Sequence, residues 1–324
     1  MKIAVRMTNW VGDCLMATPA LRKLRQIYAD AEIHVVVAQH LVTLFENNPH
    51  INQVIGFEFR RQLLSSLKKQ RYDKIYVFPR SWDSALIPFL ARIPERIGYA
   101  NQGRGLLLTT AKKRSAAVRA GHQSGAYWNL VDGEGEIPSQ EKRADLVLDP
   151  CVELWAEAIF KEKFPTKKVI GIAPGATYGS AKMWRSERFA ALAQRLLKHA
   201  DLSVLFLGGF KEGEWIHALM DKTPGAVSFA GKTNLQEAAA LMQRCAVVLA
   251  NDSGPMHLAA AMKVPLVVLF GPTKYEATGP MGEHTLIHKR VACSPCLLRH
   301  CPIDHRCMEQ ITVDRVYEAI VKKT

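Results

Sequence analysis

Residues 251–254, Asn251-Asp252-Ser253-Gly254, join an apolar run, "AVVLA", to an alanine-rich helical segment, and His257 follows one helical turn later. An acid, a hydroxyl and a glycine at a strand-to-helix junction can serve a polar ligand. The free amides of Ser253, Gly254 and Met256 point at an anion with the helix dipole behind them, and Pro255 gives up an amide that has no helical partner at a helix start. Asp252 suits a sugar hydroxyl better than a phosphate, because two anions side by side repel. The junction reads as the seat of a nucleotide diphosphate with a polyhydroxylated group attached.

Three other turns carry similar chemistry. "GATYGSAKMW" contains Gly175 and Gly179, hydroxyls at Thr177 and Ser180, and the compact charge of Lys182. Its free amides suit a phosphate, although the G-x-x-x-x-G-K-[ST] spacing of a P-loop is missing. The turn after "LFLGG" bears Lys211, Glu212 and Glu214, and an acid there in a nucleotide-binding domain accepts from ribose hydroxyls. Gly12-Asp13 stands directly before a helix. Its carboxylate has two readings: a helix-end group worth about 0.5–2 kcal/mol, or a general base at a sheet's carboxyl edge, where Gly12 lets a ligand approach the backbone.

These turns need a scaffold of strand and helix in alternation. "KIAVRM", a helical "CLMATPALRKLRQIYA" and "AEIHVVVA" form one βαβ unit, and "INQVIGF", "LLSSLKKQ" and "YDKIYVFP" continue it. From Gly98 to Gly125 the pattern weakens into a basic, glycine-containing stretch expected to be mobile loop and irregular structure at the rim of the first domain. A second series starts at "KKVIGIAPG" and runs through "VPLVVLFG". The segment between them, "CVELWAEAIFKEKFPTKK", reads as a linker helix stopped at Pro165, and "TVDRVYEAIVKK" as a closing helix capped by Thr312. The fold class expected is α/β, with two doubly wound domains facing a cleft: residues 1–165, residues 166–311, and a closing helix at 312–324 that packs back on the first domain. Ligands of such sheets bind outside the carboxyl ends of the strands.

At 324 residues two domains are expected. No apolar run reaches the roughly 18 residues of a membrane span, and Arg6, Asn9 and Asp13 interrupt the opening segment, so no secretory signal is expected. The expected location is cytoplasmic. The 43 Lys and Arg against 30 Asp and Glu give a formal charge of +13, which favours an anionic partner or simply keeps the surface soluble. Nucleic acid is not the expected partner, because the basic segment "GRGLLLTTAKKRSAAVR" has no aromatic residue on which bases could stack.

The stretches "NWVGDCLMATPAL", "YDKIYVFPRSWDSALIPFLARIPERIGY", "GIAPGATYGSAKMW", "FAGKTNLQEAAALMQRC" and "VVLANDSGPMHLAAAMKVPLVVLFGPT" together resemble the ADP-heptose:lipopolysaccharide heptosyltransferases of glycosyltransferase family 9, the heptosyltransferase II branch above all. The resemblance spans nearly the whole chain. It implies an inverting transferase of the GT-B type, with two Rossmann-like domains and no cofactor required for catalysis. The implied donor is ADP-heptose. The implied acceptor is the heptosyl-Kdo-lipid A inner core at the inner face of the cytoplasmic membrane, with the enzyme a peripherally associated monomer. By the family's pattern Asp13 is the base and Lys182 neutralises the departing diphosphate. Thr177, Tyr178, Glu212, Thr233, Asp252, Ser253, Gly254 and His257 belong to the donor site, while Arg60, Arg61, Arg80 and Arg104 meet the acceptor's anionic groups. Alternatives are a nucleotide-sugar epimerase of similar two-domain fold and a non-catalytic basic binding protein.

The resemblance leaves one cluster unassigned. Cys293, Cys296, Cys301 and Cys307 follow a C-x2-C-x4-C-x5-C spacing with His300 and His305 among them. That spacing is dense enough for a structural zinc; free thiols are the other main reading, and disulfides are disfavoured in a reducing compartment.

Overall fold

The computed structural model describes residues 1–133 and 137–324. The chain divides into two compact units, Met1–Val147 and Leu148–Thr324.

In the first unit β1 (Lys2–Arg6), β2 (Glu32–Ala38), β3 (Gln53–Phe57), β4 (Lys74–Val77), β5 (Glu95–Tyr99) and β6 (Thr110–Lys112) form one sheet in the order β3-β2-β1-β4-β5-β6. Every pairing is parallel. The second unit repeats the plan with β7 (Lys168–Ala173), β8 (Leu202–Phe206), β9 (Val227–Ser228), β10 (Val247–Asn251), β11 (Leu266–Phe270) and β12 (Thr285–His288), ordered β12-β11-β10-β7-β8-β9 and again all parallel.

The inner strands read as unbroken apolar runs because helices cover both faces of a parallel sheet. β8, β10 and β11 are buried at every residue, whereas the edge strands β6 and β9 are half-buried or exposed. Side chains such as Ile170, Phe189, Val204, Leu249 and Leu269 fill one core of the second unit, and Val36, Leu63, Ile75, Val77 and Leu67 one core of the first. In both sheets the first strand is central and the chain winds away from it in both directions. That places a topological switch point between β1 and β4, and another between β7 and β10.

Three expectations need correction. The stretch Gly98–Gly125 is not simply a loop: it holds the 3-10 turn Arg104–Leu107, the edge strand β6 and the short helix Ala116–Ala120. The division between units lies after Val147 and not at 165. Arg22 in the helix Thr18–Ile27 grips Asp145 through Nε and Nη2 (3.1 and 2.7 Å to Oδ2) and also binds Glu141, while Asp145 N donates to Thr18 Oγ1 at 2.8 Å. The chain is thus strapped to the first unit up to this point. The helix Pro150–Lys163 belongs to the second unit: Asp149 N donates to Gln236 Oε1 at 2.8 Å, and Arg244 Nη2 reaches Glu157 at 3.2 Å. The closing helix, Val313–Val321, also belongs to the second unit. Val316 and Ile320 enter its core, and Arg195 pairs with Asp314.

Candidate active site

In the first unit the turn after β1 delivers Asp13 into the first turn of the helix Val11–Met16, beside the switch point. Trp10 at the N-cap supplies no side-chain cap. Asp13 is half-buried, and its Oδ1 accepts a 2.6 Å hydrogen bond from the hydroxyl of Tyr127. Beneath it Cys14 is fully buried, its thiol pushed up to about 12 by that burial. Arg6, at the end of β1, lies over the ring of Phe57 at 4.3 Å and is lowered to about 10, still cationic at neutral pH.

The basic residues expected to meet an acceptor separate into two groups. Arg60 and Arg61 open the helix after β3, and Arg80 follows β4; all three are exposed at carboxyl ends of strands, with Arg60 Nε 3.2 Å from Asp83. Arg104 is different. It is fully buried, donating to Tyr99 O (2.8 Å), Pro79 O (2.7 Å), Ser81 O (2.8 Å) and Ser84 Oγ (2.8 Å). A guanidinium enclosed by carbonyls holds the loops after β4 and β5 together and has no surface to offer an acceptor. Its assignment to the acceptor site is withdrawn.

In the second unit the loops after β7, β8 and β10 lie at neighbouring carboxyl ends of the sheet. Lys182 Nζ, in the loop after β7, pairs with Asp252 Oδ2 at 2.7 Å, and their side chains are only 12% and 4% exposed. Thr273 Oγ1, in the turn after β11, donates to the same oxygen. The ammonium also sits 4.8 Å from the ring centre of Tyr178. A buried pair survives the loss of hydration only when further hydrogen bonds complete it, as Thr273 does here. Ser253 and Gly254, at the start of the helix Gly254–Ala261, remain half-exposed, and Ser253 Oγ bonds Asn251 O at 3.2 Å. His257, one turn on, is buried. Asn251 fixes the two loops to one another, donating to Pro174 O (2.6 Å) and accepting from Trp184 N (3.3 Å).

Glu212 is the acid of its turn that faces the sheet. Its Oε2 accepts Gly209 N at 2.8 Å, whereas Lys211 and Glu214 are exposed. Burial raises its carboxyl above the ordinary value, partly opposed by the Gly209 amide. A methyl group on Gly175 would stand 1.8 Å from Glu212 Oε1, so the loop after β7 keeps glycine there for space. Thr177 is exposed, Tyr178 half-buried, and Thr233 half-buried beyond the turn in which Gly231 N donates to Gly208 O at 3.0 Å.

The cysteine segment braces the loop after β7. Tyr178 OH donates to Leu297 O (2.9 Å), Ala181 N to Arg299 O (3.0 Å), and His305 Nε2 lies 2.7 Å from Ala181 O. All four cysteines are free thiols. Cys307 is buried and raised to about 11 by burial and by the other three. Among the described residues no three His, Cys, Asp or Glu side chains are grouped to hold a metal ion.

Two polar contacts escaped the reading of the sequence. Thr273 carried a signal, a hydroxyl in a strand-to-helix turn. Tyr127 carried none, since its partner is 114 residues away.

A carboxylate beside one switch point and a cation beside a half-exposed helix start at the other suit a nucleotide-sugar transferase. The chain belongs to glycosyltransferase family 9: the family described as Glycosyltransferase family 9 (heptosyltransferase) matches residues 60–306. Lipopolysaccharide heptosyltransferase 2 of Salmonella typhimurium is 32% identical over 305 residues, 87% of this chain and 86% of that one. Lipooligosaccharide heptosyltransferase 2 of Campylobacter jejuni is 27% identical over 98% of this chain and 97% of its own. The solved ADP-heptose LPS heptosyltransferase II of Escherichia coli, at 30% identity, superposes with a TM-score of 0.83 and covers 99% of this chain and 98% of that one. The α/β fold of the GT-B type, with two doubly wound units, is the one expected from the sequence.

Proposed function

We propose that this enzyme transfers L-glycero-D-manno-heptose from ADP-heptose to the lipopolysaccharide inner core, adding it to a heptosyl-Kdo-lipid A acceptor with inversion at the anomeric carbon. The observation that carries the reading is the 32% identity to lipopolysaccharide heptosyltransferase 2 over 87% of this chain and 86% of that one. The chemistry of the two switch points supports it.

In this reading Asp13 takes the proton of the acceptor hydroxyl, whose oxygen then bonds to the anomeric carbon from the face opposite the diphosphate. The bond from that carbon to the diphosphate oxygen breaks, and the electron pair leaves with ADP. Lys182 and the amides of Ser253 and Gly254 stabilise the charge that gathers on the leaving group. Glu212 accepts from the ribose, and Thr177, Tyr178, Thr233 and His257 complete the donor contacts. Asp252 holds Lys182 in place and offers its free lone pairs to the heptose. Arg60, Arg61 and Arg80 receive the acidic groups of the acceptor. Catalysis is assigned to these side chains without a metal, and the working unit in this reading is the monomer.

Among the described residues no helix is long and apolar enough to cross a membrane. Access to a lipid-linked acceptor is assigned to peripheral contact at the inner face of the cytoplasmic membrane. Exposed Phe59 and Leu106 and the surplus of cations support that contact, each Lys or Arg near an anionic leaflet being worth about 1 kcal/mol.

The test is ADP release from ADP-heptose with a heptosyl-Kdo-lipid A acceptor, with the product mass read in parallel. The reading expects one heptose added per ADP released. Release without an acceptor would favour an epimerase, and no release with any inner-core acceptor would end the assignment.

A further inference from the structure

The base assigned above rests on a carboxylate that a second, buried side chain already holds. Tyr127 belongs to the helix Gln123–Asp132, which packs against the helix of Asp13, and it is 3% exposed. Its ring stacks on Phe78, with centroids 5.2 Å apart and planes 28° from parallel. Phe78 in turn follows β4 directly, its amide bonded to Arg6 O at 3.1 Å. The ring therefore sits beside the carboxyl ends of the paired strands β1 and β4, and its hydroxyl ends 2.6 Å from Asp13 Oδ1. A buried hydroxyl is costly without a partner, and this one is spent on a half-exposed carboxylate that could have found water instead.

Resting on the reading of Asp13 as the base, we propose that Tyr127 is its positioning residue: the phenol pins one carboxylate oxygen and so fixes the direction in which the other meets the acceptor hydroxyl.

The surrounding groups keep the donor a donor. Burial, and then the Asp13 charge, raise the phenol well above its ordinary value, so it stays protonated at every working pH. Cys14, on the same helix as Asp13, remains a thiol, and Arg6 beside it remains a cation. Gln123 on Tyr127's own helix, and Arg114 from the segment after β6, face the phenol; Arg114 also lies 5.8 Å from the ring centre of Tyr99. A neutral donor stabilises the ionised carboxylate without neutralising it, which lowers its affinity for a proton.

The test compares pH–rate profiles of the intact enzyme, the Tyr127→Phe variant and a 3-fluorotyrosine substitution at 127. Losing one charge-assisted bond should move the acid limb of kcat/KM upward by about one pH unit. The plateau should fall about tenfold as the carboxylate loses one of the contacts that orient it, and ADP affinity should stay unchanged. The fluorinated phenol is a stronger donor that preserves packing, so it should move the limb downward; it keeps the test open if the Phe variant folds badly. A purely structural Tyr127 would lower the melting temperature and leave limb and plateau in place, which would overturn the proposal. Asp13→Asn in parallel separates the two ideas. If it is inactive while Tyr127→Phe behaves as the parent, only the positioning role falls; if it turns over normally, the base reading and this one fall together.

Discussion

The two units share one strand order and one placement of polar turns, yet they arm their switch points with opposite chemistry. The first presents Asp13, half-buried and accepting from a neutral phenol, a contact that leaves the carboxylate its charge. The second presents Lys182 against Asp252, a pair sunk below the surface and completed by Thr273. A proton acceptor must remain basic and accessible, whereas a charge meant for a diphosphate must be kept in place until the ligand arrives. The same α/β frame meets both needs because the carboxyl ends of its central strands are free of the packing that dictates every other position.

The sharpest way to break this comparison is to neutralise each side. Asp13→Asn preserves shape but removes the proposed base, and turnover should fall about 10²–10⁴-fold, measured as initial ADP release at saturating substrates. Lys182→Met should lower kcat about 10²–10³-fold through loss of leaving-group stabilisation. It should also destabilise the protein by about 3–5 kcal/mol, since Asp252 is left buried and unpaired. The double variant Lys182→Met/Asp252→Asn sharpens the point: denaturant melts should recover most of that stability, while activity stays lost.

Arg104 tests the other half of the comparison, between cations that hold the fold and cations that face outward. Arg104→Met strips partners from three carbonyls and Ser84 and should cost about 2–4 kcal/mol in urea unfolding. The acceptor KM should be unchanged at temperatures where the variant is folded.

The smallest effect concerns pH. Burial raises Glu212 above its unfolded value. The group therefore favours the fold at low pH, and this contribution is lost as pH rises through the folded value. The ribose contact proposed for Glu212 runs the other way, because only the carboxylate accepts from both hydroxyls. ADP affinity should weaken as pH falls, starting above the range of an exposed glutamate, and Glu212→Gln should flatten that dependence in calorimetric titrations.

Much of the fold was legible because parallel strands buried on both faces leave long apolar runs, as in "VVLAN" and "LVVLF", bounded by turn residues. Asp13, Lys182 and Asp252 were legible for the same reason: strand-to-helix turns are short, so an acid or lysine there has few other places to be. What stayed hidden was non-local. β6 is three residues, "TAK", with nothing apolar beyond an alanine, and only pairing with β5 makes it a strand. Arg104 lies in a basic, glycine-containing stretch that looks exposed, and its burial follows from carbonyls contributed by residues 79, 81 and 99. The helix Pro150–Lys163 was read correctly as a helix but given to the wrong unit, because the strap of Arg22 to Asp145 spans 123 residues.

The central claim, that donor binding belongs to one switch point and proton abstraction to the other, meets its most direct test in ADP titration calorimetry of two variants. Asp13→Asn should bind ADP as the parent does, and Lys182→Met should bind it at least about tenfold more weakly, the loss of one charge-assisted contact. Equal weakening in both, or parent-like binding by Lys182→Met, would contradict that division.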